Sequence, residues 1–235
     1  MKTHAIGIDF GGTNTKLGVV SHSGRVVAES SFSTTAFSAP PAFAQKAAAE
    51  IETLLQRTKV HRNQVSGVGI GIPGLVDHVR GIVHVLVNVP GWNNARAGAL
   101  FERHWKLPVT LENDVNAMAL GEHAYGVAKG YQNVVCTTLG TGVGGGLILG
   151  GKLYHGATLT AGEIGHIVVE PRGPLCNCGN RGCLEALVGT QGLLQRARMA
   201  LRSKTGGVLH GWLKQGEVLT PHLLANAARQ GDKTA

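Results

Sequence analysis

Apolar residues in the first third of the chain come in short runs separated by turns, a pattern that predicts a sheet. Strands are predicted over residues 4–10, 17–20, 26–33 and 65–72. Gly11-Gly12-Thr13 separates the first two strands, so these form a hairpin with a glycine turn. After Pro40-Pro41, apolar residues recur at i, i+4 and i+8 as far as Gln56. This spacing predicts a helix with one face packed on the sheet.

The rest of the chain repeats this alternation of strands, glycine turns and helices. The pattern predicts a hairpin over 76–87, helices over 95–105, 115–125, 190–201 and 221–230, and strands over 107–111, 134–139 and 143–149. Gly140-Thr141-Gly142 separates the last two strands, as Gly11-Gly12-Thr13 separates the first two. The repeated strand–turn–strand unit indicates a duplicated α/β fold, with domains over 1–115 and 116–235 and a phosphate held between the two turns.

Composition and charge narrow the class of protein. The chain has 235 residues, 35 of them glycine, and a formal net charge of +8. From Arg196 onward there are seven Lys/Arg and two Asp/Glu, so +5 of the +8 lies in the last forty residues. The remainder shows no basic helix interleaved with aromatic residues, so we do not predict a nucleic-acid partner.

The apolar runs are also too short to span a membrane, and the chain opens directly on a strand without a signal peptide. Three of the four cysteines lie in one short segment. This usage is typical of a reducing compartment, and we expect a cytoplasmic protein without a membrane partner.

That segment, residues 161–185, carries the most specific pattern in the sequence. His166, Cys176, Cys178 and Cys183 form a His-x9-Cys-x-Cys-x4-Cys array, which is a ligand set suited to tetrahedral zinc. The alternative is a disulfide or a set of idle cysteines, but Cys-x-Cys is too tight for an easy disulfide and three thiols leave one unpaired. Four protein ligands close the zinc shell, so the predicted ion is structural.

Several other residues are candidates for chemistry. Glu163 and Glu185 bracket the zinc loop and can bind hydroxyl groups. In the first glycine turn, backbone N–H groups with the side chains of Thr13, Asn14 and Lys16 could bind a phosphate, while Asp9 engages a hydrated cation. Taken alone, this turn is better explained as an ordinary hairpin.

Two strand ends add further candidates. Pro73-Gly74 ends a predicted strand and brings backbone to the edge of a cleft, so Gly74 is a candidate substrate contact. Glu112-Asn113-Asp114 breaks another strand at the start of a helix. A carboxylate in this place is either catalytic or a helix N-cap, and the residues alone do not decide between the two.

Together these segments resemble the ROK family of sugar kinases and repressors, within the hexokinase–actin–Hsp70 type of ATPase fold. The matching motifs are DFGGTNTKLG (9–18), GIGIPG (69–74), NVPGW (88–92), END (112–114), LGTGVGGGLI (139–148) and the zinc segment. The resemblance implies a two-domain, actin-like α/β fold with a ribonuclease H-like duplication and a zinc loop in the second domain.

The resemblance also implies a role for each matching residue. Asp114 corresponds to the base that takes the proton from the sugar hydroxyl. The phosphate motifs correspond to Asp9, Gly11, Gly12, Thr13 and Lys16 and to Gly140, Thr141 and Gly142. The sugar ligands correspond to Asn113, Glu163, His166 and Glu185, with His166 also serving zinc. Asn88 is added to this set, although relatives commonly have Pro-Asn where this chain has Val87-Asn88.

The implied activity is that of an ATP- and magnesium-dependent hexose kinase acting on the 6-hydroxyl, and glucose is the leading substrate. The expected assembly is a homodimer or higher homo-oligomer. N-acetylmannosamine, N-acetylglucosamine and fructose stay open as substrates. A sugar-responsive repressor is the alternative, but its helix-turn-helix would precede Asp9, where there is no room. Relatives continue beyond Ala235 with an adenosine-binding turn and a closing helix, so we expect a C-terminal truncation and do not exclude a sugar-binding remnant without catalysis.

Overall fold

The structure is a computed structural model that describes residues 1–86, 89–203 and 206–235. The chain divides into two compact units. The first unit comprises residues 1–136 and 146–162, and the second comprises 137–145 and 163–235. The predicted boundary after residue 115 stays a prediction.

A mixed five-stranded sheet forms the centre of the first unit. Its strands are β1 (His4–Phe10), β2 (Asn14–Ser21), β3 (Val26–Ser33), β4 (Val65–Ile72) and β7 (Val109–Asn113), in the order β3-β2-β1-β4-β7. Strands β1, β2 and β3 pair antiparallel through their hairpins, while β1, β4 and β7 run parallel. The carboxyl ends of three strands therefore meet at one edge of the sheet, which is where α/β proteins place their ligands.

Helices cover this sheet with aromatic and aliphatic side chains. They are α1 (Pro40–Thr58), α2 (Ala97–Trp105) and α3 (Asp114–Tyr125). Helix α1 starts with proline at its first turn and ends at Lys59, which adopts the left-handed conformation. Phe43 of α1 is fully buried, with its ring centroid 4.8 Å from that of Phe10 and 5.7 Å from that of Phe101. The core is thus continuous from the sheet to helices α1 and α2.

Two smaller sheets complete the strands. In a short hairpin, β5 (Leu75–Asp77) pairs with β6 (Ile82–Val85), as predicted. The predicted end of this hairpin at residue 87 lies outside the described residues. The third sheet has the order β10-β9-β8, with β8 over Val134–Leu139, β9 over Val143–Leu149 and β10 over Lys152–Leu153. The glycine turn at 140–142 joins β8 to β9, as predicted.

Helices dominate the second unit. They are α4 (Leu184–Val188), α5 (Thr190–Ser203), α6 (Val208–Lys214) and α7 (Pro221–Arg229). The pattern did not predict α6, because seven residues show barely two turns of periodicity. Its Leu209 is nevertheless fully buried, in a small cluster with Leu194, Ala197, Leu224 and Ala227. None of the described helices is both long and apolar enough to cross a membrane.

Candidate active site

Three parallel strands bring candidate residues together at one edge of the first unit. In register, Asp9 of β1 pairs with Gly71 of β4, and Gly71 pairs with Glu112 of β7. The Asn113 side chain donates a hydrogen bond from Nδ2 to the carbonyl oxygen of Gly74 at 3.2 Å. Strands far apart in sequence thus bring Asp9, the turn at Gly74 and the END motif close together.

The helix cap at this edge is Asn113. Its Oδ1 accepts the backbone N–H groups of Val115 at 2.9 Å and Asn116 at 3.1 Å, the standard contacts of an N-cap side chain. Asp114 also accepts the N–H of Val115, at 3.0 Å, but lies inside the first helical turn. Because Asn113 already satisfies the helix start, the Asp114 carboxylate is not needed as the cap.

The surroundings of Asp114 favour its protonated form. Burial raises the pKa of this carboxyl above its ordinary value, and the negative charge of Asp9 adds to the rise. The N–H of Val115 acts in the opposite direction and does not cancel the effect of burial. A carboxylate of raised pKa at the edge of the sheet is suited to accept a proton from a bound hydroxyl.

The first glycine turn exposes its polar residues. Asp9, Gly12, Thr13, Asn14 and Lys16 are solvent-exposed, and the alternate positions of β2 point into the core. Thr34 anchors the turn, because its hydroxyl donates a hydrogen bond to the carbonyl oxygen of Gly11 at 2.7 Å. Thr34 was not among the predicted residues, since a threonine following a strand carries no distinctive sequence signal.

The second glycine turn is anchored in the same manner by a different residue. Thr190, at the start of α5, donates its backbone N–H at 3.0 Å and its hydroxyl at 2.8 Å to the carbonyl oxygen of Gly140. A Cβ atom at Gly142 would collide with the Glu185 carboxylate, so a larger residue here would displace that side chain. The turn is therefore anchored by Thr190, while Gly140 and Thr141 are exposed to solvent.

The predicted zinc ligands come together in the second unit. The ligand atoms of His166, Cys176, Cys178 and Cys183 all lie within 4.8 Å of one another. The sulfurs of Cys178 and Cys183 are 3.7 Å apart, too far for a disulfide, and Cys176 Sγ lies 3.7 Å from His166 Nδ1. Tetrahedral zinc with Zn–S bonds of about 2.3 Å places two sulfur ligands roughly 3.8 Å apart. The Cys178–Cys183 sulfur separation is therefore close to one edge of a zinc tetrahedron.

The thiols of this cluster also differ in acidity. The N–H of Asn180 lowers the pKa of Cys178, whereas burial and the neighbouring thiols raise the pKa of Cys183 to about 12. Three thiolates cannot share such a small volume unless a cation compensates their charge. The four side chains are thus a donor set that could hold a metal ion.

The loop also orients the two glutamates that bracket it. Glu185 accepts the N–H of Val143 through Oε2 at 3.0 Å, and its other oxygen is 4.0 Å from Cys176 Sγ. His166 turns Nδ1 to the thiols, while Nε2 is 3.8 Å from Oε2 of Glu163. Its second nitrogen thus stays available on the side of Glu163. The remaining predicted sugar ligand, Asn88, lies outside the described residues.

Comparison with known proteins identifies the family of this chain. The sequence matches the ROK family over residues 5–235. The chain belongs to the ROK family. Its mixed-sheet α/β architecture is the hexokinase-type fold of ROK proteins.

Individual ROK relatives include kinases and repressors. The chain is 36% identical over 234 residues to a glucokinase of Thermotoga maritima, covering all of this chain and 72% of that protein. It is 31% identical over 185 residues to the DNA-binding transcriptional repressor Mlc of Escherichia coli, covering 79% of this chain and 44% of the repressor. A crystal structure of a ROK family glucokinase from Streptomyces griseus, in complex with glucose and AMPPNP, superposes with a TM-score of 0.75 at 36% identity, covering 98% of this chain and 72% of that one.

Proposed function

We propose that this chain is the sugar- and phosphate-binding part of an ATP-dependent hexose kinase that phosphorylates the 6-hydroxyl of glucose. The observation that carries the proposal is Asp114, a half-buried carboxylate of raised pKa whose capping task is performed by Asn113. Phosphoryl transfer demands positioning and charge neutralisation, with one carboxylate to orient and deprotonate the attacking hydroxyl. Relatives named glucokinase support glucose as the substrate.

In this proposal the two glycine turns bind ATP. Backbone N–H groups of Gly11, Gly12 and Thr13 with the Lys16 ammonium would contact phosphate oxygens, and Asp9 would hold a hydrated magnesium ion. Gly140, Thr141 and Gly142 would provide a second set of backbone donors. Magnesium would neutralise charge on the transferred phosphate, while the protein residues position it.

Sugar recognition is assigned to a set of polar groups. Those proposed to bind the sugar hydroxyls are Gly74, Asn113, Glu163, His166 and Glu185, and the sequence adds Asn88. A sugar epimer would leave one of these groups without its hydrogen bond, which is the physical basis of selectivity.

Zinc is assigned a structural role at His166, Cys176, Cys178 and Cys183. When bound, the ion would fix the loop that carries Glu163 and Glu185, and its closed shell would leave no position for an activated water. The free thiols of the cluster also favour a cytoplasmic location, where thiols stay reduced. A homodimer or higher homo-oligomer remains the expected assembly.

The deciding experiment measures ADP release with glucose, fructose, N-acetylglucosamine and N-acetylmannosamine, and binding of each sugar by calorimetry. Asp114→Asn should lower turnover with the best sugar about 10²–10⁴-fold and leave sugar affinity nearly unchanged, since the amide cannot accept the proton. The matched control is Glu102→Gln, because that amide can still accept the N–H of Val109.

The pH profile gives a second readout. Turnover should fall as the pH drops through the raised pKa of Asp114, and Asp114→Asn should abolish that limb. The kinase proposal would be refuted if the wild-type protein bound none of the sugars and released no ADP. Sugar-dependent binding to duplex DNA, as the similarity to Mlc suggests, would instead support the repressor.

A further inference from the structure

A second group of metal-ligating side chains lies in the first unit, apart from the thiol cluster. It consists of His78, directly after β5, Glu112 near the end of β7, and His155, shortly after β10. One ligand atom from each residue lies within 4.8 Å of the others. The three residues come from distant parts of the sequence, so only the fold brings them together.

Glu112 is already oriented as a metal-binding carboxylate would be. Its Oε2 lies 2.8 Å from Nε2 of His155, and the two side chains are 12% and 19% exposed. Its Oε1 accepts the backbone N–H of Asn113 at 2.9 Å and Nδ2 of Asn116 at 3.1 Å. One oxygen is thus fixed by donors while the other faces the histidines, which is the usual arrangement around a ligating carboxylate.

The second histidine leaves a buried nitrogen without a partner. Among the described residues, no group hydrogen-bonds to Nδ1 of His78, although this atom is buried. The His78 ring stacks on that of His155, with centroids 3.8 Å apart and planes 14° apart. A buried polar atom without a partner requires a water or an ion to explain it.

We propose that His78, Glu112 and His155 form a second zinc site, with two nitrogen ligands, one oxygen ligand and an open fourth position. Imidazole and carboxylate are suitable ligands for zinc, and three protein ligands with one open position is a known coordination of this ion. Binding would replace the His155–Glu112 hydrogen bond and separate the stacked rings by rotation about χ2, a soft torsion. This inference rests on its own geometry and does not depend on the kinase proposal.

The site has a consequence for the END motif. Glu112 immediately precedes Asn113 and Asp114, and its Oε1 binds the N–H of Asn113. An ion held by Glu112 and two loop histidines would therefore restrain the start of α3. Occupancy of this site should slow amide exchange at residues 113–116.

The test is metal stoichiometry after dialysis against micromolar free zinc. We expect two zinc ions per wild-type chain, and one fewer in His78→Gln and in His155→Gln. His84→Gln is the matched control: His84 lies on the same hairpin and contacts Asn94, outside the cluster. It should bind as much zinc as wild type. Equal stoichiometry in wild type and both cluster variants would overturn the proposal and leave a purely hydrogen-bonded His–Glu pair.

Cobalt substitution separates the two sites by ligand type. Cobalt at the thiol cluster gives intense thiolate charge-transfer absorption, whereas cobalt bound by two histidines and a glutamate gives only weak visible bands. Loading the second equivalent should therefore add visible bands without further charge transfer, and His78→Gln should remove that increment. Circular dichroism of each variant verifies folding. If His155→Gln unfolds, His78→Gln decides alone, because Nδ1 of His78 makes no hydrogen bond to the described residues.

Discussion

The two units of this chain bury apolar side chains to very different extents. In the first unit, a continuous core runs from Ile6 in β1 to Leu111 in β7 and includes three fully buried phenylalanines and two tryptophans. In the second unit, the described residues form one small cluster of five side chains on α5, α6 and α7. A core that small cannot by itself offset the conformational entropy of folding more than 70 residues.

The difference shows two ways of fixing functional groups. In the first unit, register along parallel strands positions Asp9, Asn113 and Asp114, and the hydrophobic core holds that register. In the second, the loop that carries Glu163 and Glu185 has little apolar support, and its side chains converge instead on the histidine–cysteine cluster. We therefore expect the first unit to respond to core mutations and the second to loss of metal.

The largest effect should follow removal of the proposed zinc from the thiol cluster. Metal binding contributes about 10–16 kcal/mol of folding free energy in small zinc-dependent domains, far more than a single core contact. Chelation or Cys178→Ser should increase amide exchange throughout residues 163–190 and leave β1, β4 and β7 protected. Cys136→Ser is the control, since this thiol lies outside the cluster. Unchanged exchange after complete metal removal would contradict the expected dependence.

Truncating the aromatic centre of the first unit should have the next largest effect. Phe43 is fully buried against Phe10, Trp92 and Phe101, so Phe43→Ala should lower the free energy of unfolding of this unit by about 3–5 kcal/mol. Denaturant unfolding followed by tryptophan fluorescence measures it. Val26→Ala should change stability by less than about 0.5 kcal/mol, since Val26 is 52% exposed.

The small helical cluster provides the corresponding test in the second unit. Leu209→Ala should destabilise that unit by about 2–5 kcal/mol, at the lower end if α6 collapses into the cavity. Its control is Val218→Ala, because Val218 is 73% exposed. Hydrogen exchange resolved by residue should place the loss in α5–α7. An equal loss in the first unit would mean that the two units unfold together.

The smallest effect, and one of opposite sign, is expected at Asp114. The folded state raises this pKa and therefore binds the proton more tightly than the unfolded state does. The buried charge destabilises the folded state at pH values above the raised pKa. This destabilisation disappears as the pH falls towards the pKa of Asp114 in the unfolded chain. Asp114→Asn should thus raise the melting temperature slightly at pH 8 and lose this advantage near pH 4. A variant less stable than wild type at pH 8 would show that the carboxylate stabilises the fold.

Local patterns in the sequence determined much of the secondary structure. The hairpins of β1–β2 and β8–β9 follow from apolar runs around glycine turns, and α1 follows from its i, i+4 spacing and its leading proline residues. The ROK motifs predicted the family, which the comparison confirmed. The failures were short elements such as α6, whose burial depends on α5 and α7 rather than on its own periodicity.

Other features depended on tertiary structure. Whether the carboxylate of the END motif is catalytic or an N-cap was open in the sequence, because aspartate serves in both roles; backbone geometry gave the capping task to Asn113. The approach of His78 and His155 to Glu112 had no sequence signal at all, since the three lie on separate loops and strand ends. Spacing in sequence can identify ligands that share one loop, as in the cysteine segment. Ligands that meet only after strands have paired are determined by register and packing, which the sequence specifies through the whole fold.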